Sequence, residues 1–145
     1  MATERRAEVT WNGDLLSGSG TIDAVGTGAF GPLDVSWAAR AEDASAGKTS
    51  PEELLAAAHA SCFSMALAGG LAKAGNVPER LSTSATVTFV PGTGITKVAL
   101  AVRGTVPGLD DAGFHEAAEG AKANCPISKA LVGVPEITLD ASLDA

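Results

Sequence analysis

The sequence has no tyrosine, only two cysteines, two histidines and two methionines, and just two Trp and four Phe among its 145 residues. So small a stock of soft ligands argues against a metalloprotein. No CxxC is present, and a four-ligand zinc site would need carboxylates to complete it. Two cysteines are also too few for a disulfide scaffold; they fit either buried inert thiols or a redox pair. Positive charge is scarce as well, ten Lys plus Arg against seventeen Asp plus Glu. The longest cationic cluster is Arg5-Arg6, too little to neutralise a phosphate backbone, so nucleic acid is excluded as the main partner. The N-terminus MATERRAEVTWNGD lacks an apolar stretch of the kind a secretory signal needs, and a cytoplasmic protein is expected.

Charge of either sign is missing from Leu54 to Leu71, a length at which a membrane span is considered. That run is mostly Ala, Gly and Ser with His59 inside it, so its apolarity is weak. A buried central helix, and no membrane, is the better expectation. Apolar residues make up 46%, ordinary for a globular chain, and the length suggests one domain over 1–145.

Along the chain, residues 6–24 resemble a hairpin turning at Asn12-Gly13. "LDVSWAARA" alternates like a strand that ends at Arg40. Ser50-Pro51-Glu52-Glu53 then carries a helix start: an N-cap serine, a proline at the first helical position and a glutamate three after the cap. This helix is predicted to reach about Ala74, stopped by Gly75-Asn76. Leu55, His59, Cys62, Ala66 and Gly69 form a stripe of mostly small residues along it, where another backbone could approach. "LSTSATVTFV" and "ITKVALAVRGTV" read as a second hairpin around Pro91–Gly94. A helix over "DDAGFHEAAEGAKAN", a short helix at "CPISKAL" and a strand "EITLDASL" complete an α+β order.

Cys62, in an Ala-rich helix, is by default a packing residue. Cys125 stands immediately before Pro126, at the start of a short helix, where backbone N–H groups can lower a thiol pKa; a plain helix cap accounts for it as well. Arg40 and Glu52 are joined by a connector that could fold back and let them pair, and an arginine so held could stabilise a thiolate. Spacing alone favours a surface cation and a helix-start acid. His59 lies three positions before Cys62, which invites a Cys–His pair but fits a core or interface histidine better. Asp110, Asp111 and His115 are better explained as helix-start acids and a neighbour than as metal ligands.

The stretches "TSPEELLAAAHASCFSMAL" and "VPGLDDAGFHEAAEGAKANCPISKAL" closely resemble the two motif regions of the OsmC branch of the OsmC/Ohr family, and the likeness covers nearly the whole chain. That resemblance implies an OsmC-like α+β fold, antiparallel sheets wrapped around a long central helix, in an intertwined homodimer. It implies a thiol-dependent peroxidase that reduces organic hydroperoxides, with hydrogen peroxide as a second candidate. In those terms Cys62 is the peroxidatic cysteine and Cys125 the resolving one, closing an intrachain disulfide. Arg40 binds the thiolate and peroxide, and Glu52 holds Arg40. No metal or bound cofactor is expected. An external dithiol, whether a lipoyl protein, a thioredoxin-type partner or a small thiol, would regenerate the enzyme. Leu55, Phe63 and Met65 are candidates for apolar walls. A redox sensor without turnover and a non-catalytic helix-dimer protein are the rival readings.

Overall fold

The computed structural model describes residues 1–43 and 45–144. The chain divides into two compact units, Met1–Leu54 and Leu55–Ala145.

The first unit holds a three-stranded antiparallel sheet in the order β1 (Val9–Asn12), β2 (Ser19–Ile22), β3 (Leu33–Val35). The hairpin is where the sequence places it, but its connection is wider than the Asn-Gly turn expected there. Asn12 pairs with Ser19, so residues 13–18 form a loop organised by Asp14. The Asp14 carboxylate accepts from the Leu16 and Ser17 N–H groups, both at 2.8 Å, and from the Ser17 hydroxyl at 2.6 Å. An aspartate that can bond its own downstream backbone outcompetes the tight turn.

A second correction follows β3. The strand expected to run to Arg40 stops at Val35, and a one-turn helix, α1 (Trp37–Ala41), replaces its second half. Ser36 caps that helix, its Oγ accepting from the Ala39 N–H at 3.2 Å. A cap followed by Ala-Ala-Arg-Ala is a strong local helix signal, and here it overrides a short alternation.

The long helix α2 (Pro51–Lys73) begins as the sequence predicts. Ser50 Oγ accepts from the Glu53 N–H at 3.1 Å. At its far end Gly75 adopts φ +85°, which an L side chain tolerates poorly. The Asn76 N–H returns to the Leu71 carbonyl at 2.9 Å and closes the helix.

The second unit carries a sheet in the order β4 (Arg80–Val90), β5 (Gly94–Thr105), β6 (Glu136–Leu143). β4 and β5 are the antiparallel hairpin the sequence predicts, turning through residues 91–93. β6 pairs with β5 in parallel, so the antiparallel expectation holds for the first sheet and this hairpin but not here. Parallel neighbours need a crossover. It is supplied by α3 (Asp111–Asn124) and α4 (Pro126–Ala130).

The core of this unit forms where Val98, Leu100 and Val102, alternate residues of the central strand, meet Phe63, Leu67 and Leu71 of α2 and Phe114, Ala118 and Ala121 of α3. β4 shows the strict alternation of a strand with one wet face. Phe63 therefore belongs to the core and cannot wall an open site. Likewise the stripe through His59, Cys62 and Ala66 is buried or half-buried. The exposed line on α2 runs beside it, through Ala58, Ser61, Met65 and Gly69. By length and composition α2 could cross a membrane, but its buried Phe63, Leu67 and Leu71 make it the core helix of this unit.

Candidate active site

The four residues singled out from the sequence fall into two pairs, and the fold closes both. In the first unit, α1 presents Arg40 to Glu52 in the first turn of α2. The Arg40 Nη2–H donates to Glu52 Oε1 at 2.8 Å, and Nε–H donates to Oε1 at 3.0 Å and Oε2 at 3.2 Å. The Glu52 carboxylate is buried while Arg40 stays partly exposed, and the guanidinium carbon lies 5.9 Å from the centre of the Trp37 ring. A carboxylate taken out of water needs its cation, and a planar fork gripped on one edge has a fixed direction. Arg40 is thus an oriented charge, displayed by a helix turn rather than by the end of a strand.

In the second unit, Cys62 of α2 and Cys125, the N-cap of α4, approach closely enough for their ionisations to depend on each other. Both thiols are free. Cys125 is fully buried (0% exposed) in the core cluster, whereas Cys62 is only partly buried.

The surroundings push the two thiols in opposite directions. Burial pushes the Cys62 thiol up; the Ile127 N–H works against this, and the neighbouring Cys125 adds to the rise. Cys125 is also penalised by burial, but the Ser128 N–H, the Cys62 thiol, the Ser128 hydroxyl and the Ile127 N–H together outweigh it and bring Cys125 below the usual thiol range. Its sulfur accepts no side-chain capping hydrogen bond at the start of α4.

Ser128 is the residue that sequence reasoning missed. It sits three positions after Cys125 on α4 and is buried beside His59. His59 Nε2 and Ser128 Oγ are 2.7 Å apart, across 69 positions of sequence. Burial pushes the His59 pKa down, so the ring is held neutral. Its other nitrogen, Nδ1, is buried with no hydrogen-bond partner among the described residues. A buried polar atom left unpaired costs about 1–3 kcal/mol. The serine in "CPIS" was the available signal, since N3 of a helix is where a cap's partner N–H lies. The acids near α3 stand at the helix start, as the sequence indicates, and Asp110 is its N-cap, accepting from the Gly113 N–H at 2.8 Å. Among the described residues no group of three or more His, Cys, Asp or Glu could hold a metal ion.

Residues 43–140 match the family described as OsmC-like protein, and the chain is 38% identical to Peroxiredoxin OsmC of Escherichia coli (strain K12), covering 99% of both chains. The protein belongs to the OsmC family. Solved structures agree on the family fold. An organic hydroperoxide resistance protein from Elizabethkingia anophelis superposes with a TM-score of 0.73 at 24% identity, over 99% of this chain and 100% of that one. The organic hydroperoxide resistance protein OhrB of Bacillus subtilis gives 0.63 at 25% identity, over 96% and 98%. The fold expected from the sequence, α+β and OsmC-like, is therefore the fold of this chain.

Proposed function

We propose that this OsmC-family protein is a cysteine-based peroxidase that reduces organic hydroperoxides, with Cys62 as the peroxidatic and Cys125 as the resolving residue. The observation that carries the reading is the meeting of two thiols from distant parts of the chain, one reachable from outside and one sealed in the core. A peroxide can reach only the first. The names of the relatives at 38% and 25% identity, a peroxiredoxin and an organic hydroperoxide resistance protein, support the same substrate class.

In this scheme the Cys62 thiolate attacks the distal oxygen of ROOH and the O–O bond breaks. The alkoxide leaves and is protonated to ROH, and Cys62 becomes a sulfenic acid. Cys125 then attacks that sulfur, water is lost and an intrachain disulfide forms before further oxidation. An external dithiol, such as a lipoyl protein, a thioredoxin-type protein or a small molecule, takes over the disulfide by exchange and returns both thiols. Because burial disfavours a charge on Cys62, the first step needs a cation. Arg40, fixed by Glu52, is assigned that role and the stabilisation of the departing alkoxide.

We further propose that the protein works in the cytoplasm as a homodimer. Met65 is 74% exposed in the uncharged line on α2. That line borders a groove of about 770 Å³ between α2 and α3, floored by Gly69, Gly70, Gly113 and Gly120. An apolar side chain so displayed among glycines suits the close approach of a second copy.

The test is intact mass and free-thiol count after one equivalent of cumene hydroperoxide is added to reduced protein. Loss of two hydrogens and of both thiols within one chain, followed by turnover with a dithiol, is the expected result. Disulfide formation without sustained turnover would mark a redox sensor instead. Survival of both thiols would mean that the cysteines only pack.

A further inference from the structure

Among the described residues of the second unit, His59 is a buried titratable ring that the scheme above leaves unused. It lies one turn before Cys62 on α2, and its only hydrogen-bond partner among the described residues is Ser128. A leucine in that place would bury the same volume without stranding Nδ1, so the polar ring must be explained by what its other nitrogen holds.

Ser128 has one hydroxyl proton and two neighbours that could take it: His59 Nε2, at 2.7 Å, and the sulfur of Cys125, three positions back at the N-cap of the same short helix. If Nδ1 carried the ring proton, a buried N–H would be left without an acceptor, and the Ser128 proton would be spent on Nε2. If Nε2 carries it, His59 donates to Ser128 Oγ and the hydroxyl is released toward Cys125. The atom stranded on Nδ1 is then a lone pair rather than an N–H, and unpaired buried N–H groups are the rarer defect. The second tautomer satisfies more of the cluster.

We propose that His59 and Ser128 are positioning residues for the resolving step: His59, as its Nε2–H tautomer, turns the Ser128 hydroxyl onto the Cys125 sulfur and keeps that sulfur ready to attack oxidised Cys62. This rests on the peroxidase reading for its role in turnover, but not for its effect on Cys125 itself. The step is Cys62–SOH plus Cys125–SH giving the Cys62–Cys125 disulfide and water. The sulfur–sulfur bond forms as the S–OH bond breaks, and the departing hydroxide takes up the proton that Cys125 releases. Ser128 lowers the barrier by stabilising the attacking sulfur as an anion, as does the Ser128 N–H that α4 supplies in the same place. The groups acting on that sulfur are Cys62 from α2 and Ile127 and Ser128 from α4, none of them a charged side chain.

Two measurements decide it. The first uses no peroxide: thiolate absorbance of Cys125 is titrated in a Cys62→Ala background, with Ser128→Ala, Ser128→Thr, His59→Leu and His59→Gln added singly. The midpoint should move upward in Ser128→Ala and His59→Leu. It should stay in place in Ser128→Thr, which keeps the hydroxyl, and in His59→Gln, which can keep an N–H donor. The second, in full-length protein with both cysteines, follows disulfide formation after cumene hydroperoxide while dimedone traps sulfenic acid. Disulfide formation should slow about tenfold in Ser128→Ala, with the Cys62 adduct accumulating, and recover in Ser128→Thr. An unmoved midpoint in folded Ser128→Ala overturns the proposal, as does an equal shift in Ser128→Thr. If wild-type Cys62 is never oxidised, the peroxidase reading falls, and the titration still decides the His59–Ser128 arrangement.

Discussion

Arg40 and Glu52 show why one substitution is an ambiguous probe of a buried pair. Arg40→Ala would strand the Glu52 carboxylate, which is only 7% exposed; breaking a buried pair in this way costs about 3 kcal/mol or more. Replacing both, Arg40→Gln with Glu52→Gln, removes the charge and leaves nothing stranded. In that double variant the second-order rate of peroxide reduction should fall about a hundredfold, as when a donor to a developing oxyanion is lost, with a much smaller change in the urea midpoint. An unchanged rate would remove Arg40 from the chemistry. His59 gives a prediction of a different kind. Its folded pKa is depressed by burial below the usual 6.5, so the unfolded chain binds a proton that the folded chain refuses. The stability this contributes is fully present above pH 6.5 and is lost as pH falls toward the folded value. Urea midpoints compared at pH 7.5 and pH 5 should therefore drop more for the wild type than for His59→Gln, which has no proton to gain.

Elements in this protein are legible where cap, period and turn agree. α2 begins at Ser50-Pro51, and β6 spans the residues its alternation marks, because nothing local competes. α1 was hidden because Val35, Trp37 and Ala39 alternate like a strand, while Ser36 and the alanines after it make a helix. The parallel pairing of β6 was equally hidden, since side-chain alternation is the same in both directions and only the long α3–α4 connection hints at it. In the candidate site, Cys62, Cys125, Arg40 and Glu52 could be named from their likeness to the family's motifs, yet Ser128 could not: its meaning lies in a contact with His59 that only the packing of α4 on α2 creates. One packing contact offers a direct test of the second unit. A Cβ at Gly104 would come within 2.7 Å of the Phe114 ring and 3.2 Å of Leu81. Phe114 is fully buried and cannot swing away. Gly104→Ala should therefore cost about 1–3 kcal/mol in urea unfolding, and Phe114→Leu in the same chain should recover part of it through non-additivity. Purely additive losses would mean that the ring does not press on that glycine.

For the whole molecule, the assembly state is the first quantity to measure. Sedimentation equilibrium should return twice the chain mass of 14.4 kDa, and Met65→Lys should shift the protein toward the monomer by placing a charge in an apolar contact. A wild-type monomer at micromolar concentration would rule out the homodimer. The crossover between β5 and β6 has a further consequence, one of timing. The β4–β5 hairpin and α2 are built from neighbours in sequence and can form early, whereas seating β6 requires a long loop to close first. Cys125 and Ser128 travel on that loop. Until it closes, the nascent chain holds its two thiols far apart. On the proposed function, the thiol pair is then completed together with the last stage of folding, and a chain that has not finished folding has no resolving partner beside Cys62.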